Sequence, residues 1–124
     1  MVVIKEFEDI LEALKEQGKA YWSVSKEQTN PAMFKAYCES KEEQKELLDF
    51  KEPMWDEDIL PIAEKCRQLG IRQFTISVRQ SNIIDILTDF QNAGITIQGM
   101  TKIHAQDERM GDRVISAFLM NVQG

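Results

Sequence analysis

Few residues in this chain are of the types that dominate metal and nucleophile chemistry. There is one histidine, His104, and there are two cysteines, Cys38 and Cys66. No HExxH, CxxC or EF-hand spacing surrounds them. Zinc needs several convergent N or S ligands and calcium a glycine-pivoted ring of oxygens, so no metal site is expected. GxGxxG and GxxxxGK[ST] are absent, which removes the loops that cradle phosphates, and GxSxG is absent as well. A triad on His104, with Ser77 or Ser81 as nucleophile and Asp85 or Asp107 as orienter, has no spacing to support it. No cofactor is expected, and the reading leans away from an enzyme.

The best ligand candidate is the stretch Thr75-Ile76-Ser77-Val78-Arg79-Gln80-Ser81-Asn82. It runs from the carboxyl end of an expected strand into the start of an expected helix. Unpaired N–H groups and the helix dipole favour an anion there, and ligands of open α/β sheets gather at this end of the strands. Ser77, Arg79, Ser81 and Asn82 are the candidate ligand-binding residues, and His104, on a later strand, is the group that a closed site would add. The plainer account is a helix cap beside a solvated arginine.

A second candidate rests on charge and aromatics. The formal charge is −6, which argues against nucleic-acid binding, since phosphates are held by surplus Lys and Arg. The excess is local: residues 39 to 58 hold nine acids against three bases, and the rest of the chain is neutral. Six of the ten aromatic residues fall between Tyr21 and Trp55, around the same segment. Aromatics are enriched at interface hot spots, so Trp22, Tyr37, Glu42, Glu43, Glu46 and Trp55 are the candidate residues for docking a protein partner. The plainer accounts are a solvated Glu/Lys helix face and an aromatic core.

These residues must be positioned by the following elements. Val3, Phe7, Ile10, Leu11 and Leu14 form a helical stripe stopped by Gly18. Asn30 and Pro31 open a second helix, with a stripe of Met33, Phe34, Tyr37 and Cys38 that decays into a charged, solvated run up to Leu47-Leu48. Leu47 to Phe50 reads as a short edge strand or a packed turn. A third helix is expected with Asp56 or Asp58 as cap, Asp58 being preferred because it puts Pro61 in the first turn, and it buries Ile59, Ile62, Ala63, Cys66 and Leu69 until Gly70.

Residues 71–78 alternate as a strand with Phe74, Ile76 and Val78 inward. Ser81 is expected to cap a helix that buries Ile83, Ile86, Leu87 and Phe90 and closes at Gly94. Residues 95–104 form the next strand, with Ile95, Ile97, Thr101 and Ile103 on the core face and Gly99 marking a bulge or a close approach. After a polar turn over 106–112, the last strand is apolar on both faces and so belongs in the centre of a sheet. Inserted antiparallel between the two earlier strands, it makes a split β-α-β unit. The fold class is α/β (α+β): a small mixed sheet of three to four strands covered by about four helices. One domain is expected, its residues 1–54 helical, aromatic and acidic, and its residues 55–124 in αβαββ order.

No apolar run reaches the roughly 20 residues that cross a membrane. Met1 to Glu6 turns charged at once, so no signal peptide is expected. Both cysteines read as small buried hydrophobes in a reducing compartment, and the expected location is cytoplasmic.

The segment 55–122 resembles a group of small proteins from anaerobic Gram-positive bacteria, often carried on mobile elements. The resemblance lies in Trp55-Asp56-Glu57-Asp58 with Pro61-Ile62, Gly70-Ile71 leading to Phe74-Thr75-Ile76-Ser77, and the closing Ala117-Phe118-Leu119-Met120-Asn121-Val122. The group carries no assigned activity, so it supplies no catalytic residues; it implies a bacterial or phage setting and an accessory role. The first expectation is therefore a non-enzymatic binding or regulatory module acting through a protein partner. The alternative is a small anionic-ligand site, or a modest enzyme, at residues 75–82. A third is a homo-oligomer pairing through Phe74 to Val78 as an exposed edge.

Overall fold

The computed structural model describes residues 2–107 and 111–123, without the side chain of Asp107. The turn expected over 106–112 therefore lies partly outside the described residues. Helix α1 (Lys5–Glu16) lays its stripe on α2 (Pro31–Glu42). Phe7 is buried between Phe34, edge-on at 5.8 Å, and Tyr37 at 5.4 Å. Ion pairs tie down the α1 flank, Glu8 to Lys41 at 2.6 Å and Glu6 to Lys65 at 2.6 Å. Val3 precedes the first turn and is exposed rather than part of the stripe. A short 3-10 turn (Tyr21–Ser23) leads into α2, whose start is as expected: the Asn30 Oδ1 accepts the Met33 N–H at 3.1 Å, and Pro31 is the first helical residue.

The end of α2 is not as expected. The helix stops at Glu42, because Gln44 takes a left-handed φ of 55°. The Gln44 N–H then donates to the Lys41 carbonyl at 3.1 Å and the Lys45 N–H to the Ser40 carbonyl at 2.9 Å. This is the Schellman pattern, normally made by glycine. It carries residues 43–48 out of the helix and into strand β1 (Asp49–Phe50), which lies at the sheet edge.

Helix α3 (Asp56–Leu69) starts two residues before the expected cap. Asp58 sits one turn in, and its Oδ2 accepts the Trp55 N–H at 2.9 Å while its own N–H donates to the Trp55 carbonyl at 2.9 Å. Pro61 is consequently inside the helix rather than in its first turn. After β2 (Gln73–Ile76), helix α4 runs over Ile83–Asn92. Ser81 does not cap it; Asn82 precedes the helix, with no side-chain cap bond. Strands β3 (Ile95–Asp107) and β4 (Gly111–Val122) complete a mixed sheet in the order β1-β2-β4-β3.

The split β-α-β unit is present: β4 lies antiparallel between β2 and β3, and β1 adds in parallel outside β2. Because β1 covers it, Phe74 to Val78 is not an edge. The sheet ends instead at β1 and β3. Phe50, Phe74 and Phe90 stack through 5.3 and 5.6 Å ring contacts and join the sheet to the helices α3 and α4 in one core cluster. Each such fully buried side chain contributes about 1.5–3 kcal/mol.

The bulge in β3 changes which side chains share a face. Ile97 pairs with Met120, yet Gly99 pairs with Leu119, so Gln98 is the extra residue. Alternation inverts there. Ile95 and Ile97 lie with Met120 and Val122, whereas Thr101 and Ile103 lie on the opposite face with Ala117 and Ile115. They do not form one core face as expected. Ile97, on an edge strand, is 49% exposed. Among the described residues, no helix is long and apolar enough to cross a membrane.

Candidate functional site

Five of the nine acids of the segment are exposed and Asp58 is half-buried, but three lie inside the fold. Glu39, Glu43, Lys45 and Asp49 are all buried. The side chain of Asp49 is 0% exposed, and it accepts from Lys45 Nζ, Thr75 Oγ1 and Ser77 Oγ, each at 2.7 Å. Lys45, 3% exposed, also lies 3.6 Å from Glu43. Glu43 holds Lys51 and accepts the Gln106 N–H at 3.1 Å, and these bonds keep its carboxyl below the usual range against the cost of burial. Asp49, Lys45, Glu43 and Lys51 thus form an interleaved network, and pairing of this kind is what lets charges be buried. Two sequence signals pointed to it: Lys45 and Asp49 four residues apart, and the hydroxyls Thr75 and Ser77 on one face of a strand.

This network disperses the residues of the expected anion site. Ser77 is buried on Asp49. Arg79 is exposed and donates from Nη2 to the Ser116 carbonyl at 2.9 Å. Asn82 accepts from the Gln80 amide, which also clamps the Met54 backbone through two 2.9 Å bonds, and this clamp sets the turn that displaces Ser81 from the cap position. Ser81 is exposed. His104 Nδ1 is 2.9 Å from the Glu43 carbonyl; a carbonyl only accepts, so Nδ1 carries the proton. His104 lines a cleft of about 320 Å³ with Lys45, Thr75 and Lys102. Lys45 and Thr75 are held by Asp49, and Lys102 donates to the Ser116 hydroxyl. The five residues do not converge.

The partner candidates divide differently. Tyr37 is fully buried, its hydroxyl accepting the Ile4 N–H at 3.3 Å, and Glu43 belongs to the network, so neither is a surface group. Glu42 and Glu46 are exposed. Trp22 is 71% and Trp55 59% exposed. Every other aromatic residue is buried or half-buried. Burial, then the charges of Glu39 and Glu42, push the Tyr21 phenol upward, which places the Tyr21-Trp22 turn in the field of the acids of α2.

Two depressions lie on this half. A groove of about 660 Å³ runs between residues 26–32 and the start of α3, with Glu57, Asp58 and Glu64 on one wall. Its two lysines are Lys26 and Lys65, the latter paired with Glu6. Ala32 lines this groove and also a smaller cleft of about 130 Å³ between α2 and the residues around Met54. Ala36, Phe50, Pro53 and Met54 give the smaller cleft apolar walls, and Glu39 and Glu52 give it carboxylates. In the sequence Glu39 is indistinguishable from the other acids of a charged helix.

Among the described residues no group of three or more His, Cys, Asp or Glu could hold a metal ion. Cys38 and Cys66 are free and buried; burial pushes the first thiol up to about 11, with Glu42 and Glu8 adding to it, and the second to about 12. No curated protein and no solved structure matches the chain. One family does: its sequence model spans residues 32–122, from the first turn of α2 to the end of β4. The chain belongs to the DUF7698 family, a domain of unknown function.

Proposed function

We propose that the protein is a single-domain, non-enzymatic binding module that acts by docking a protein partner on its N-terminal half. The observation that carries this reading is the exposure of both tryptophans in a chain that covers all its other aromatic rings. An exposed Trp is the residue type that anchors interfaces. At the 75–82 junction Thr75 and Ser77 are spent on Asp49, so a ligand there would have to break those bonds. The resemblance of residues 55–122 to proteins of bacterial mobile elements supports an accessory role in a cytoplasm.

The test is recovery of a stoichiometric, saturable partner from host lysate by the wild type, Trp22→Ala, Trp55→Ala and Arg79→Ala. The reading expects loss with either Trp variant and retention with Arg79→Ala. Equal recovery by all four proteins would overturn it.

A further inference from the structure

The cleft shared by α2 and the β1–α3 connection contains a feature that its neighbours do not satisfy. The Glu39 side chain is 8% exposed, and its Oε1 is buried with no hydrogen-bond partner. Its other oxygen is 3.5 Å from Lys51 Nζ, which takes Glu43 as its closer partner. Glu52, also lining the cleft, sets a second carboxylate beside it. A buried carboxylate oxygen without a donor is costly, and a second carboxylate next to it makes it more so. Such a site is completed by a cation. Ala32, Ala36, Met54, Pro53 and the ring of Phe50 give it apolar walls, and Lys35 and Lys51 line it beside the two carboxylates. Apolar walls ending at carboxylates fit an alkyl chain that carries its charge at the tip, as lysine does.

We propose that this cleft takes the side chain of a lysine from a basic segment of the partner, with its ammonium between Glu39 and Glu52 and its flanking residues in the adjoining groove. The inference rests on the docking reading above and names the partner's chemistry. Charge favours a basic segment along the groove, while in the cleft itself Lys35 and Lys51 balance Glu39 and Glu52 and leave the Glu39 Oε1 without a donor. Glu57, Asp58 and Glu64 line the groove that Ala32 joins to the cleft, and of the groove's two lysines one is already paired. The groups facing Glu39 are Glu52 and Lys51 from the β1–α3 connection and Lys35 from α2 itself. Glu39 is held near 6, so at neutral pH it is ionised and ready to accept an ammonium.

The probes are a Gly-Lys-Gly-Lys-Gly peptide, the same peptide with norleucine for lysine, n-butylammonium and n-butanol, each titrated into protein with labelled Met and Ala methyl groups. The expected result is that the lysine peptide shifts the Met54 and Ala36 methyls. Replacing lysine with norleucine, or Glu39 with Gln, weakens binding at least tenfold. Glu52→Gln, an exposed position that leaves the fold intact, weakens it in the same direction, and Glu12→Gln on α1 leaves it unchanged. Equal binding of the norleucine peptide, or no shift of Met54 and Ala36 with the lysine peptide, overturns the proposal. Shifts with n-butylammonium but not the peptide also overturn it, since the cleft then takes a free amine. If the lysine probe fails while Trp22→Ala and Trp55→Ala still abolish partner recovery, the lysine assignment falls and the docking reading stands. If those variants recover partner as well as the wild type does, both fall.

Discussion

Asp49→Asn is the sharpest test of the buried network. The substitution keeps the shape of the side chain, removes its charge and replaces one acceptor oxygen with an NH2 donor. In the native protein that carboxylate is fully buried and receives an ammonium and two hydroxyls at 2.7 Å each. Without it, Lys45 remains 3% exposed, with Glu43 at 3.6 Å as its remaining acid. Removing one partner of a buried ion pair costs about 3–5 kcal/mol because the other charge is stranded. Glu43 softens the loss, so the expected cost is about 3 kcal/mol, or a melting temperature lower by about 10 °C. Urea denaturation followed by far-UV circular dichroism measures it. The companion Lys45→Met, and the double variant, supply the coupling. The double variant is expected to be more stable than the sum of the single losses by about 1.5 kcal/mol or more. A loss below about 1 kcal/mol for Asp49→Asn with additive single effects would refute the claim that this pair holds β1 and residues 43–48 to the sheet.

Three further outcomes follow from the geometry. Asn30→Ala removes the acceptor of the Met33 N–H and is expected to cost about 1 kcal/mol, read as a fall in melting temperature with an unchanged native spectrum. Glu39 is raised from 4.5 to about 6 by burial first and by Glu52 second. The folded state therefore holds this proton more tightly than the unfolded one, and stability falls as pH rises from about 4.5 through about 6. Glu39→Gln is expected to gain about 2 kcal/mol at pH 7 and nothing at pH 4, and equal gains at both values would contradict that origin. Deleting Gln98 removes the bulge and turns either Ile95 or the Thr101–Ile103 stretch to the wrong face. The expected result is a loss of about 3 kcal/mol or more, seen as reduced amide protection in β3.

Features fixed by local pattern were legible in the sequence. Asn30-Pro31 marked a helix start, and the two-faced apolar run of residues 113–122 placed β4 at the sheet centre. What stayed hidden depended on partners distant along the chain or on unusual backbone. The stop at Glu42 uses glutamine in a left-handed turn, where pattern reading looks for glycine. Gly99 signalled a bulge or a close backbone approach, but the inversion that the bulge forces on Thr101 and Ile103 depends on its register with β4. The site suffered most. Ser77 looked like an open hydroxyl at a strand end, and only the fold shows Asp49, 28 residues earlier in the chain, capturing it. Likewise Tyr37 and Trp22 were equivalent as aromatic letters, and α1 buries the first while leaving the second bare.

The two cysteines offer a different use of the same architecture. Reaction with alkylating agents needs the thiolate, and both thiols are buried and raised far above neutrality. Modification therefore waits for the helix above each to lift. Cys38 sits in α2 and Cys66 in α3, so one chain carries two independent clocks for local opening, read out by mass without any added label. A partner seated over the cleft beside α2 would slow the first clock and leave the second running.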